Sequence, residues 1–132
     1  MRKYLFCLLL LFAVSACKKT EFSPEGPTDV RVRNISDQTL NEVIVNIDGE
    51  KDTLGTIASG GTSGYYRFKI AYSKAEIYAK INEVIFSTGP VDYTYLDFKG
   101  RMRITYVVWI SDWNKKKLEI KDVIPEEPLT LK

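Results

Sequence analysis

A chain of 132 residues with 19 basic and 17 acidic side chains has the length of one domain and a charge too evenly mixed to form the basic stripe that nucleic-acid binding requires. It contains no histidine and only two cysteines, Cys7 and Cys17. A Ser-His-Asp triad, a Cys-His pair and the usual histidine-bearing zinc sites are therefore excluded.

The N-terminus reads as an export segment. Arg2 and Lys3 supply a charged start, Tyr4 to Val14 an apolar run, and Ser15 and Ala16 the small residues ahead of Cys17. The run falls short of the ~20 apolar residues of a transmembrane helix, and the polar Lys18-Lys19-Thr20-Glu21 that follows would end insertion. Val14-Ser15-Ala16-Cys17 resembles the lipobox of bacterial lipoproteins, in which an aliphatic residue and two small ones precede an acylated cysteine. The resemblance implies a signal peptide over residues 1–16, cleavage after Ala16 and a diacylglyceryl group on the Cys17 thiol. Two or more acyl chains hold a protein on a bilayer for long periods. The expected location is the bacterial cell envelope, lipid-anchored, with the outer membrane as the expected site. Lys18 stands where lipoproteins retained in the enterobacterial inner membrane carry aspartate.

With Cys7 lost in the signal and Cys17 acylated, the mature domain has no pair of thiols for a disulfide. Loss of Arg2 and Lys3 leaves 17 basic against 17 acidic residues, a formal balance of zero. Residues 17–28 hold Pro24, Gly26 and Pro27 and little apolar content, and are expected to form an extended tether after the lipidated cysteine. At about 3.1 Å per residue such a segment reaches roughly 30 Å. Residues 29–132 are expected to form a single β domain, large enough to bury about two-thirds of its chain surface.

Within that domain the apolar period is two. Val30 and Val32 alternate with Arg31 and Arg33, and Val43, Val45 and Ile47 form a second half-buried strand. Asp48-Gly49 supplies a type I′ hairpin turn, followed by a strand over Thr53 to Ile57. Ser59-Gly60-Gly61 breaks the pattern. Tyr66, Phe68 and Ile70 then face one way, with Tyr65, Arg67 and Lys69 on the other side. Ala75 to Phe86 reads as a hairpin turning near Asn82-Glu83; a short helix over Ser73 to Lys80 is the competing reading, but β-branched residues and tyrosines favour strand. After Gly89-Pro90 a strand is expected over Tyr93 to Phe98. The strongest strand runs from Arg101 to Ile110, with Met102, Ile104, Tyr106, Val108 and Ile110 inward and Arg103, Thr105 and Trp109 outward. Leu118, Ile120 and Val123 belong to a last strand that Pro125 and Pro128 would close. Seven to nine short strands and no helix predict an all-β fold, an antiparallel immunoglobulin-like sandwich.

Val30-Arg31-Val32-Arg33-Asn34, Val43-Ile44-Val45, Leu54-Gly55-Thr56-Ile57 and the stretch from Thr62 to Phe68 resemble the first half of small extracytoplasmic immunoglobulin-like modules of the FxLYD and CARDB types. The likeness covers roughly forty residues, lies in strand spacing, and implies a fold without an activity.

The catalytic inventory is thin. Gly60-Gly61-Thr62-Ser63-Gly64 lacks the lysine and the helix of a phosphate loop. Asp92, Asp97 and Asp112 are the acids nearest the aromatic-rich half, where a glycosidase would need a pair about 5–9 Å apart. Asp48, Glu50 and Asp52 cluster without the spacing of a calcium loop. No enzyme activity, cofactor or metal is expected. Tyr65, Tyr78, Trp109 and Trp113 fall on outward positions or in a turn and are the candidate ligand-binding residues, because exposed Tyr and Trp give rigid contact area. Asp52-Thr53-Leu54 resembles the Asp-(Ser/Thr)-aliphatic O-glycosylation acceptor of Bacteroidota, which would place a glycan on Thr53. Asn34-Ile35-Ser36 matches the eukaryotic sequon and carries no weight in a bacterial lipoprotein. The sequence thus points to a membrane-anchored, non-catalytic interaction or accessory module with an envelope partner. The alternative is a lipoprotein that binds a glycan or peptide through the aromatics.

Overall fold

The computed structural model describes residues 24–128, with the backbone alone for Glu127 and Pro128. The expected signal peptide, Cys17, the tether up to residue 23 and residues 129–132 lie outside the described residues.

The fold is all-β. Eight strands follow in chain order: β1 (Thr28–Asn34), β2 (Leu40–Ile47), β3 (Glu50–Ile57), β4 (Tyr66–Phe68), β5 (Glu76–Ile81), β6 (Val84–Ser87), β7 (Met102–Asp112) and β8 (Lys117–Pro128). They form one sheet in the order β3-β2-β5-β6-β8-β7-β1-β4, which curls until its two edges nearly meet. The carboxylate of Glu50, at the start of β3, accepts the backbone N–H of Lys69 just past β4, at 3.1 Å to each oxygen. That bond ties the two edges together at one end.

The expectation of an antiparallel sandwich is corrected here: the sheet is single and mixed. β1 runs parallel to β7 over six pairs, from Asp29↔Arg103 to Asn34↔Val108, and β6 meets β8 in parallel at Ser87↔Lys117. Alternation along a strand tells which face is buried but not which distant strand lies alongside, so this pairing was not readable from period alone.

Each hairpin follows its local chemistry. Asp48 and Gly49 both adopt positive φ (50° and 90°) between β2 and β3, the geometry of a type I′ turn. Asn82 and Glu83 do the same between β5 and β6, at 50° and 66°. The inward positions are Val30 and Val32 on β1, Ile77, Ala79 and Ile81 on β5, and Ile104, Tyr106 and Val108 on β7, all buried. On β2 the inward series is Leu40, Val43, Val45, Ile47, and on β3 it is Leu54 and Ile57. The steps of three mark bulges at Glu42 (φ 48°) and Gly55 (φ 81°), where the β2–β3 register shifts. A bulge inserts one residue and so resets which side chains face the core. Leu118, Ile120 and Val123 on β8 show the same step, matched by a register shift at Val107/Val108.

Several strand limits differ from expectation. β1 opens at Thr28, whose buried hydroxyl donates to the Gly100 carbonyl at 2.5 Å, so the end of the expected tether is part of the packed domain. β8 runs through Pro125 to Pro128 instead of ending there, because it pairs with β7 throughout but with β6 only at Lys117. Along its free edge a proline removes no ladder bond. Residues 93–98 form a loop, not a strand, with turns at Thr94 and Tyr95. Asp92 Oδ1 accepts both the Thr94 N–H (3.0 Å) and its hydroxyl (2.6 Å), an Asx turn that competes with a ladder.

The core is filled. Tyr106 is fully buried, and its hydroxyl donates to the Tyr72 carbonyl at 2.5 Å. Asn34, also fully buried, closes the far end. Its Nδ2 donates to the carbonyls of Gln38 (2.7 Å), Ile57 (3.1 Å) and Ala58 (3.2 Å), while its Oδ1 accepts the Ser36 N–H (3.0 Å) and hydroxyl (2.6 Å). The side chain of the Asn34-Ile35-Ser36 sequence is thus a structural hub joining β1, the β1–β2 loop and the end of β3. Among the described residues no buried side-chain polar atom lacks a partner.

Candidate functional site

The buried interior of the barrel is largely apolar, and the candidate aromatic residues lie on its outer walls and ends. The expected aromatic residues are distributed over four separate places there.

Tyr65 lies just before β4, with two guanidiniums close to its ring. Arg31 Cζ stands 4.7 Å from the ring centroid and Arg103 Cζ 5.2 Å from it. Arg31 is fixed from behind: its Nε donates to Thr105 Oγ1 at 2.9 Å and its Nη2 reaches Glu126 Oε1 at 3.2 Å. Thr105, expected to point to solvent, is fully buried beneath this cluster and donates to the same Glu126 oxygen at 3.3 Å. The strand alternation was right about its face; the long Arg31 and Glu126 side chains cover it. Beside them Arg67 binds Asp29 with two bonds, 2.8 and 3.3 Å. Arg103 forms no salt bridge among the described residues, and a guanidinium offers several donors in a planar fork.

Trp109 shares the outer side of β7, is 37% exposed, and has Lys121 Nζ 5.5 Å from its ring. Six residues separate it from Arg103, which along a strand is about 20 Å. Tyr78, half-buried, stands on β5 between Ile44 of β2 and Ser87 of β6, three strands around the sheet from β7. Trp113 occupies the β7–β8 turn and packs on Phe86, ring centroids 5.1 Å apart and planes at 52°. Their depression of about 220 Å³ is also lined by Ile81, Asn82, Val84 and Lys116. The four residues therefore do not converge on one patch.

At the Trp113 end, sequence reasoning missed three exposed apolar residues. Ile85 is 59% exposed, Val84 38% and Trp113 49%, and Val84 lines the same depression as Trp113. The signal was present as a Val-Ile-Phe run directly after a turn, where one of the three must face outward. A second depression of about 320 Å³, between the residues after β6 and strand β8, is lined among others by Lys74, Thr88, Val91, Lys117 and Glu119 and by none of the expected aromatics.

Two of the candidate acids serve turns. Asp92 bonds Thr94, and these bonds hold its carboxyl below the ordinary range. Asp112, at the other end of the barrel, accepts the Lys115 N–H at 3.0 Å. Asp97 is exposed in the loop between β6 and β7. Of the Asp48–Asp52 cluster, Glu50 is engaged by Lys69 and Asp52 by the Thr53 N–H at 3.0 Å. Among the described residues no group of three or more acidic, cysteine or histidine side chains could hold a metal ion. Gly60 and Gly61 cap β1 and β3 through Gly60 N–H to Asn34 O (2.8 Å) and Gly61 N–H to Ala58 O (2.8 Å). Thr53 is exposed on β3, an edge strand, with Leu54 turned into the core, so its hydroxyl is accessible to a modifying enzyme. No helix among the described residues is long and apolar enough to cross a membrane.

No protein-family model matches the chain, and no curated protein sequence does. Among solved structures it is similar to a protein from Eubacterium rectale determined by NMR, with 17% identity, a TM-score of 0.48, and coverage of 77% of this chain and 95% of that one.

Proposed function

We propose that this chain is a lipid-anchored protein of the bacterial cell envelope, held at the outer membrane through Cys17, whose barrel serves as a non-catalytic interaction module for another envelope protein. The observation that carries the reading is the exposure of Val84 and Trp113 around one depression, with exposed Ile85 next to Val84 on the outer face of β6. These residues lie at the end of the barrel formed by the β5–β6 and β7–β8 hairpins, opposite the end where β1 begins. An anchor on Cys17 would leave that end directed away from the bilayer. Two exposed apolar side chains at a shallow depression that also holds Asn82 and Lys116 suit the centre of a protein contact ringed by polar groups.

The test is capture from the native membrane. Tagged protein should bring down the same partner as wild type when Thr56, an exposed residue of β3, is replaced by alanine, and should lose it in Ile85→Ser/Trp113→Ala. Retention of the partner by the double variant would remove the assignment of this surface.

A second reading, binding of an anionic glycan or peptide, is favoured by one feature. Two guanidiniums, those of Arg31 and Arg103, stand close to the Tyr65 ring. Guanidinium groups recognise carboxylates and phosphates by paired bonds. On that reading Tyr65→Ala and Arg103→Ala lose a captured ligand that Trp113→Ala retains.

A further inference from the structure

The loop between β6 and β7 carries two exposed aromatic residues for which the fold gives no use. Tyr95 is 94% exposed and Phe98 50%. A loop free to collapse would cover such rings, yet this one is pinned along its length. Thr88 Oγ1 donates to Ala75 O at 3.1 Å and accepts the Ile77 N–H at 2.9 Å. Val91 N–H binds Glu76 Oε1 at 3.1 Å. The Tyr93 hydroxyl donates to Asn46 O at 3.1 Å, and its ring packs on Tyr72 at 5.2 Å. Past the tip, Lys99 N–H reaches Ala71 O at 2.8 Å. The Asp92–Thr94 turn then holds Tyr95 outward at the apex.

The position of this loop gives it a specific neighbour. It crosses the end of the barrel at which β1 begins, and the chain enters against it. A Cβ on Gly100 would lie 3.5 Å from the Pro24 carbonyl, and Thr28 Oγ1 is bonded to Gly100 O. Pro24 follows Cys17 by seven residues, and an extended chain covers at most about 3.6 Å per residue, so the domain can stand no more than roughly 25 Å from an acylated Cys17. The aromatic tip and the root of the tether therefore share one end.

We propose that Tyr95 and Phe98 insert at the headgroup level of the bilayer that holds the anchor, as a second membrane contact that fixes the orientation of the barrel. This rests on the lipid-anchor reading above. Tyrosine with its apolar ring and polar tip suits the membrane–water boundary. Within the loop the charges balance, Lys99 and Arg101 against Asp92 and Asp97, so the loop itself does not call for anionic lipid. Two rings bind a bilayer weakly by themselves, but a short tether makes the encounter intramolecular and raises their effective concentration. The opposite end, with Val84, Ile85 and Trp113, is thereby presented to the surrounding space.

The experiment uses the mature lipidated protein, in which Cys7 has been removed and the Cys17 thiol is blocked. Tyr95→Cys, Phe98→Cys and Lys115→Cys each then supply a single reactive thiol for an environment-sensitive fluorophore; Lys115 lies in the exposed β7–β8 turn at the far end. Each protein is reconstituted in phosphatidylcholine vesicles with and without phosphatidylglycerol. The expected result is blue-shifted emission, quenched by nitroxide lipid and shielded from aqueous iodide, at 95 and 98 but not at 115, and equal in both lipid mixtures. Water-like emission at all three sites, with the protein still co-floating with vesicles, would overturn the docking and leave the anchor standing. Lipid-like emission at 115 would overturn the orientation. Protein that does not float with vesicles would remove the anchor reading and this proposal with it.

Discussion

Replacing Asn34 by alanine is expected to be the most damaging single polar substitution in the barrel. The side chain is fully buried and makes five hydrogen bonds, three from Nδ2 to carbonyls and two to Oδ1 from Ser36. The carbonyl of Ile57 is itself in a buried contact. A hydrogen bond contributes about 1 kcal/mol net, and a buried partner left unsatisfied costs about 1–3 kcal/mol. Counting the two shortest donor bonds and the Ser36 N–H bond, the loss should be about 3–4 kcal/mol, a large part of the ~5–15 kcal/mol that holds a domain together. Urea unfolding of the lipid-free domain reads this directly. With m near 2 kcal/mol/M the midpoint should fall by roughly 1.5–2 M with m unchanged. Asn34→Asp keeps the acceptor but turns a carboxylate toward three carbonyl oxygens, so its folded-state pKa should rise. Its stability should be better at low pH and worsen as pH increases through that pKa. A midpoint shift under 0.5 M for Asn34→Ala, equivalent to about 1 kcal/mol, would refute the hub.

Other substitutions test separate parts of the fold. Tyr106→Phe removes the donor to Tyr72 O and should cost about 1–2 kcal/mol at neutral pH. Burial pushes the Tyr106 phenol well above its ordinary value; its contribution is fully present below about pH 10 and is lost as pH rises toward the folded-state pKa. The alkaline loss of stability above pH 10 should therefore be shallower in Tyr106→Phe than in wild type, measured by urea midpoints from pH 8 to 12. A Cβ on Gly26 would run into the Lys69 carbonyl, so Gly26→Ala should lower the melting midpoint through about 1–3 kcal/mol of overpacking. Arg67→Ala breaks an ion pair whose arginine is mostly exposed and should change stability by less than about 1 kcal/mol.

How far the chain could be read depended on whether a property was local. The period-two runs identified the inward residues of β1, β5 and β7, and Asp48-Gly49 and Asn82-Glu83 gave the hairpins in place. The three-residue steps Leu40–Val43, Leu54–Ile57 and Ile120–Val123 already encoded the bulges. The parallel pairing of β1 with β7, more than 70 residues apart, has no such local mark, and it is what turns a sandwich expectation into a curled single sheet. Residues 93–98 look strand-like because they hold Tyr, Leu and Phe, but Asp92 two residues before Thr94 is an Asx-turn signature that outweighs composition. The candidate site was legible in residue types and not in grouping. Tyr65, Tyr78, Trp109 and Trp113 are all on the surface to some degree, whereas the partners that decide their roles, Arg31 and Arg103 for Tyr65 and Phe86 for Trp113, come from remote strands.

The anchor on Cys17 underlies the whole functional account, and its most direct test is the intact mass and detergent partitioning of the membrane-purified protein beside Cys17→Ser. The account predicts a wild-type mass that lacks residues 1–16, carries acyl chains and partitions with detergent, and a variant without acyl mass that stays aqueous. Wild type and variant that behave alike, with no acyl mass on either, would contradict it and recast the barrel as an unanchored exported domain.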